Sequence, residues 1–249
     1  MSLLVSVRDP SEVGPALMGG AQIIDAKEPS NGALGPVTRA CLRQIEEQVP
    51  ASVPLSVALG DFVSAEEAAE AVLTLPLRRR SASLFVKLAP SADGAEGDRS
   101  VLDGAVRAAR PHRAAPAVIA VEYADRSRDL KSSENFRAGA ILARVRGVLV
   151  DTAIKDGTSL LDWWSDDRVM AWSRSAREAG LLVAVAGSLG ASEVARAMAF
   201  GCDVIGVRGA ACVGGRAGRI DAGLVRRLRE VIDSTVPTPR TATVLSGCF

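Results

Sequence analysis

Short apolar runs recur along the chain, each followed by a stretch whose apolar positions return with helical spacing. The runs cover residues 3–7, 23–26, 54–58, 83–87, 117–121, 147–151, 181–186 and 204–207. They start about 20 to 34 residues apart, the pitch of a strand plus the helix behind it. Several are continuously apolar, such as Leu181-Leu182-Val183-Ala184-Val185, which suits parallel strands covered on both faces. Ser64-Ala65-Glu66-Glu67 has the spacing of a capped helix start, a second helix opens at 191–196, and 220–232 predicts the last one. Eight strand-then-helix units predict a (β/α)8 TIM barrel of the α/β class, formed as one domain over residues 1–249. A doubly wound sheet is the rival, but it uses fewer strands and often carries a glycine-rich turn after the first, where this chain has none.

A barrel places its chemistry at the C-terminal ends of the strands. That face is expected to carry Arg8 and Asp9 after the first run, Asp25 and Lys27 after the second, and Lys87 ending the fourth. Glu122, Tyr123 and Asp125 follow the fifth, Asp151 ends the sixth, and Lys155 lies in the loop beyond. Arg78-Arg79-Arg80 falls before the fourth run, on the opposite face, and reads as a solvated turn.

The lysines stand out by scarcity. The chain has 26 arginines and four lysines, Lys27, Lys87, Lys131 and Lys155, and three of the four lie at or just past a predicted strand. Arginine serves for surface charge, whereas only lysine can lose its proton and attack a carbonyl. Several ammonium groups in one partly dry mouth lower at least one pKa, and Asp25 and Asp151 hold the others in position. Such a set can form a Schiff base and move protons beside it. The plainer reading is a group of barrel-mouth salt bridges around a site with different chemistry.

Glycines mark a second feature. Ala186-Gly187-Ser188-Leu189-Gly190 ends the seventh run and Gly206-Val207-Arg208-Gly209 the eighth. Loops there hold a substrate phosphate in many barrels, with backbone N–H groups close to the anion. Gly187, Ser188, Gly209 and Arg208, the last as a bidentate cation, are the expected contacts; tight barrel turns are the alternative. Together with the lysines they point to a Schiff-base enzyme acting on a small phosphorylated aldehyde or ketone. The glycine-rich stretch 213–219 reads either as a flap or as a surface loop.

Composition narrows the field. At 48% hydrophobic the chain can bury a large core, and a net charge of +1 gives no footprint for nucleic acid or an acidic membrane. No apolar run approaches the roughly 20 residues of a membrane span, and the N-terminus reads as a first strand instead of a signal peptide. Cys41, Cys202, Cys212 and Cys248 are widely spaced, which argues against a disulfide framework or zinc site and suits a reducing cytoplasm. The single histidine, His112, is expected on a surface loop; Trp163, Trp164 and Trp172 are expected as helix-packing or interface anchors. A homo-oligomer is left open.

The stretch Ile23-Ile24-Asp25-Ala26-Lys27-Glu28-Pro29-Ser30-Asn31-Gly32-Ala33-Leu34-Gly35, with Asp151-Thr152-Ala153-Ile154-Lys155-Asp156-Gly157 and Ala186-Gly187-Ser188-Leu189, resembles the (5-formylfuran-3-yl)methyl phosphate synthases. These are also called 4-(hydroxymethyl)-2-furancarboxaldehyde-phosphate synthases, and the resemblance covers essentially the whole chain. It implies a barrel lyase of methanofuran biosynthesis, free of metal and organic cofactor. Such an enzyme condenses two molecules of glyceraldehyde 3-phosphate into a furan phosphate with loss of phosphate and water. It also implies Lys27 as Schiff-base lysine and Lys87 as proton abstractor, with Asp25, Asp151 and Lys155 as further active-site groups. The family is described with a lysine near the fifth strand. Here that strand end reads Val121-Glu122-Tyr123-Ala124-Asp125, with Lys131 six residues on, so Tyr123 and Asp125 become candidates for its role. The rival functions are a class I aldolase-like triose-phosphate lyase and a non-catalytic phosphate-metabolite-binding barrel.

Overall fold

Eight parallel strands close into a barrel in chain order: β1 Ser2–Val7, β2 Ile23–Ala26, β3 Leu55–Phe62, β4 Leu84–Pro90, β5 Ala117–Tyr123, β6 Gly147–Asp151, β7 Leu182–Val185 and β8 Val204–Val207. The computed structural model describes residues 1–78, 81–127 and 129–234. Closure is made by β8 pairing with β1, Ser2 beside Val204 and Val5 beside Val207. Successive side chains face opposite sides of a strand, so each strand supplies two cores. Leu3, Val5 and Val7 of β1 point outward into the layer shared with the helices, while Leu4 joins Ile23, Ile119, Leu149 and Val204 inside the barrel. Burial on both faces explains the continuous apolar runs.

Helices wrap the outside: α1 Val13–Met18, α2 Arg39–Gln48, α3 Ala65–Leu73, α4 Gly94–Ala109, α5 Leu130–Leu142, α6 Leu160–Trp163, α7 Asp166–Glu178, α8 Ala191–Ala197 and α9 Ala222–Ser234. Side-chain oxygens of Thr38, Ser64, Asp129, Ser159 and Ser165 accept from the first-turn N–H groups, which starts five of these helices at defined residues. A short antiparallel ribbon, β9 Cys212–Val213 with β10 Arg219–Ile220, is inserted between β8 and α9.

Several expectations are revised. Strands β3, β4 and β5 run past the apolar runs that predicted them, so Lys87 sits in mid-strand, opposite Ala58, instead of ending β4. The β3–β4 register shifts between Ala58 and Gly60, and Gly60 takes the positive φ (113°) needed there. Glu122 faces away from the mouth. By alternation it enters the helix layer, where it accepts from Trp172 Nε1 at 2.7 Å and Ser127 Oγ at 2.7 Å. Trp164 packs edge-on against Trp172, 6.3 Å between rings, and donates to Ala124 O at 3.1 Å; Trp163 is exposed. His112 is buried, not a surface residue: its Nδ1 accepts from Ala114 N at 3.1 Å, so Nε2 carries the proton toward Leu75 O, also at 3.1 Å. Arg79 and Arg80 of the basic run and Cys248 lie outside the described residues.

Helices α3 and α4 meet closely at Gly104, where an added Cβ would stand 2.3 Å from Ala65 O. Gly104→Ala must push the helices apart and is expected to lower stability by about 1–3 kcal/mol in a denaturant titration, despite the better helix propensity of alanine.

Candidate active site

Strand alternation also decides which charges enter the barrel. Asp25 on β2, Lys87 on β4 and Asp151 on β6 all face inward, and all three are buried. Lys27 follows β2, its N–H still on the ladder to Val7 O at 2.9 Å; the chain then turns back with Glu28 N donating to Gly35 O at 2.8 Å. That turn needs Gly35, where a Cβ would lie 2.3 Å from Glu28 O. Lys155 reaches in from the loop after β6, and that loop is braced by Asp125, which accepts from Ala153 N at 2.9 Å and Ile154 N at 2.6 Å.

The charges sort into two pairs and a remainder. Lys87 Nζ lies 2.8 Å from Asp25 Oδ1, whose other oxygen accepts from Ser6 Oγ at 2.7 Å. Lys155 Nζ lies 2.6 Å from Asp151 Oδ1 and 2.9 Å from Thr152 Oγ1. Burial alone would raise the pKa of either carboxyl. The Lys87 and Lys27 ammoniums overcome this at Asp25, and those of Lys155 and Lys27 at Asp151, so both stay below the ordinary carboxylate value. Among the described residues Lys27 is the mouth lysine without an ion pair. Burial lowers its pKa to about 7, helped by Lys87 and Lys155 and opposed by Asp151 and Asp25. An uncharged amine near neutral pH is a nucleophile, and the paired lysines and carboxylates beside it can carry protons.

All five residues except Asp25 line one cavity of about 280 Å³, and Asp25 lies behind Lys87. The glycine loops after β7 and β8 form another part of its wall, with Gly187, Ser188 and Gly209 among the lining residues. Gly187 (φ 111°) and Ser188 (φ 55°) both adopt left-handed backbone. At Gly187 a Cβ would meet Leu160 Cβ at 3.0 Å, while a serine at φ 55° is a strained choice. Such a turn directs backbone N–H groups toward one side.

Arg208 is not free to hold an anion as a bidentate cation: it is among the cavity-lining residues, but its N–H groups are engaged within the protein. Nη1 donates to Ser6 O at 2.8 Å and Glu12 Oε2 at 2.9 Å, Nη2 to Glu12 Oε1 at 3.3 Å and Gly218 O at 3.1 Å, and Nε to Arg216 O at 2.9 Å. The buried Glu12 carboxylate claims it, a partner 196 residues away that no local pattern announces. Arg216 takes its place as a cation at the mouth: it lines the cavity, and one Nη2 holds Gly32 O at 2.8 Å. Sequence reasoning missed Arg216, whose only signal was a charge in a glycine-rich loop, and missed Ser6 and Ser56, inward on their strands. Of the candidates for the strand-5 role, Asp125 is spent on the β6 loop, Lys131 is exposed on α5, and Tyr123 donates to Asp61 Oδ1 at 2.6 Å. Burial and Asp61 push the Tyr123 phenol upward, so it remains a proton donor. No His, Cys, Asp and Glu cluster among the described residues could hold a metal ion, and no helix among them is long and apolar enough to cross a membrane.

A closed parallel barrel with amines and carboxylates facing one cavity at its mouth defines a TIM-barrel enzyme. Solved structures share the architecture. N-(5'-phosphoribosyl)anthranilate isomerase from Pyrococcus furiosus matches with TM-score 0.64 at 14% identity over 94% of this chain and 99% of that one. The 3-hexulose-6-phosphate synthase from Salmonella typhimurium gives 0.62 at 16% identity, also over 94% and 99%. The family model described as 4-HFC-P synthase matches residues 3–229. The (5-formylfuran-3-yl)methyl phosphate synthase of Methanothermobacter thermautotrophicus is 35% identical over 94% of this chain and 100% of its own length; that of Methanopyrus kandleri is 35% identical over 92% and 98%. The chain belongs to the 4-HFC-P synthase family.

Replacing Arg208 by Met would leave the buried Glu12 carboxylate with Arg8 alone, whose backbone N–H donates to it at 2.9 Å and whose Nε lies 3.8 Å away. The expected loss is about 2–4 kcal/mol of folding stability, read by urea unfolding.

Proposed function

We propose that this protein condenses two molecules of glyceraldehyde 3-phosphate into (5-formylfuran-3-yl)methyl phosphate through a Schiff base on Lys27, in methanofuran biosynthesis. The observation that carries the reading is the unpaired, buried Lys27 with a pKa of about 7, set between two lysine–aspartate pairs. The names of the relatives support the product. Lys27 condenses with the aldehyde of one triose, and the iminium acidifies the neighbouring C–H. As the iminium forms, Lys87, held by Asp25, gives its proton to the departing hydroxyl, which leaves as water; the amine so freed removes the C–H proton, and the enamine forms a carbon–carbon bond with the second triose. Lys155 and Asp151 move the protons that accompany loss of one phosphate and two waters, which balances two trioses against the furan product. The turn at Gly187 and Ser188, with Gly209 and Arg216, holds a phosphate at the rim.

The experiment is borohydride trapping with glyceraldehyde 3-phosphate followed by peptide mapping. A triose-sized adduct on Lys27 is expected. Lys27→Met, which keeps an uncharged side chain of similar length and loses the nucleophile, should retain the fold and lose turnover by about 10³-fold or more. Normal turnover in that variant would sink the scheme. An aldolase-like lyase would also form the adduct, so product identity separates the two: the furan route releases inorganic phosphate and builds an ultraviolet-absorbing conjugated aldehyde.

The amine is reactive only when deprotonated. Activity at limiting substrate is therefore expected to rise roughly tenfold per pH unit on the acid side and to level off above about 7. A rate independent of pH between 5 and 7 would exclude Lys27 as the titrating nucleophile.

A further inference from the structure

The cations that line the cavity are Lys27, Lys87, Lys155, Arg208 and Arg216. Carboxylates match three of them, Asp25 at Lys87, Asp151 at Lys155 and Glu12 at Arg208. Lys27 can shed its proton near neutral pH. Arg216 has no ion pair among the described residues and no such escape. Burial draws its pKa down, with Arg208 adding to this and Asp151 and Glu28 opposing, but a guanidinium holds its charge at any working pH. With Lys27 neutral, the permanent charge left over at the mouth is that of Arg216.

The charge stands on a fixed platform. Three consecutive carbonyls of the β9–β10 ribbon are held: Arg208 donates to Arg216 O from Nε at 2.9 Å and to Gly218 O from Nη2 at 3.1 Å, and Arg8 Nη1 to Ala217 O at 3.0 Å. Gly218 permits the tight fold, since a Cβ there would lie 1.8 Å from Val213 O. From this platform Arg216 Nη2 donates to Gly32 O at 2.8 Å and Pro29 O at 3.3 Å, both in the turn that follows Lys27. Arg216 Nε and Nη1 have no hydrogen-bond partner among the described residues, and both remain accessible. Carbonyls satisfy part of a guanidinium, but only an anion balances its charge.

We propose that Arg216 takes the phosphate of the triose that is joined to Lys27 and thereby sets the turn after Lys27, so that the phosphate is needed for amine attack as well as for affinity. This deepens the condensation reading above and rests on it. The guanidinium is a rigid plane. A phosphate on Nε or Nη1 fixes that plane, and with it the direction in which Nη2 holds Gly32 O and Pro29 O. Binding energy from a group that does not react is then used to orient the amine that does. An unphosphorylated aldehyde of the same length brings no such anchor and reacts slowly.

The test splits the substrate in two. Glyceraldehyde replaces the triose phosphate, inorganic phosphite supplies the missing anion, and cyanoborohydride trapping on Lys27 is followed in full-length wild type and Arg216→Met. Trapping reads one triose at a time, so the phosphate of the second triose does not enter. Phosphite is expected to raise the wild-type rate about tenfold or more, and chloride at equal ionic strength to leave it unchanged. Arg216→Met, shown to be folded by circular dichroism, is expected to lose the phosphite response. A wild-type rate indifferent to phosphite, or raised equally by chloride, would overturn the proposal. So would an Arg216→Met protein that is slower throughout but keeps the same fold-response, the mark of a purely structural arginine. Glyceraldehyde 3-phosphate on wild type is the control for the reaction itself. Without an adduct on Lys27 the condensation reading fails and this inference with it, whereas an adduct beside a missing phosphite response removes the role of Arg216 alone.

Discussion

Charge balance in a dry space governs the mouth of this barrel. An isolated charge there would be driven to neutralise, because water is not available to solvate it. Asp25 with Lys87 and Asp151 with Lys155 cancel in close pairs, and both carboxylates remain ionised. Lys27 is the fifth group in a set that is already neutral without it. Desolvation is therefore the largest influence on its ammonium, since the carboxylates that oppose it, Asp151 and Asp25, are countered by Lys87 and Lys155, and the same arithmetic that keeps four groups charged makes the fifth one reactive. Removing either carboxylate would leave two ammoniums for one partner and change every group in the set.

The scaffold under that set is held at the barrel seam. Arg208, one residue beyond β8, joins Ser6 O on β1 to the Glu12 carboxylate just before α1, and its remaining N–H groups tie down the β9–β10 ribbon at Arg216 O and Gly218 O. Arg216 then reaches across to Gly32 O in the loop that follows Lys27. The 213–219 stretch is thereby neither a free flap nor a plain surface loop; it is a ribbon fastened to the nucleophile's own loop. A buried arginine can do this because its five N–H groups fan out in one plane toward several acceptors at once.

Strands and helices were legible along the chain because covering a parallel sheet on both faces leaves an uninterrupted apolar run, and that run is a local property. The five mouth residues were legible for a related reason: scarce lysines and carboxylates stood at the ends of such runs, where barrel topology converges them. Glu122 shows the limit. It stands one residue from Tyr123 at the end of the same strand, yet one step in register turns it into the helix layer to serve Trp172. His112 was misplaced because its acceptor, Leu75 O, is 37 residues distant, and Arg208 because Glu12 is 196 residues distant.

By itself the amino-acid sequence determined the class of fold, the order of its units, the family motifs and the set of residue types gathered at one end of the barrel. Periodicity, residue scarcity and loop glycines are written in neighbouring positions and survive without coordinates. Only the tertiary structure decided which lysine lacks a carboxylate, and which arginine is structural and which lines the mouth. Pairing, burial and cavity shape are sums over distant strands, and they exist only once the eighth strand has closed on the first.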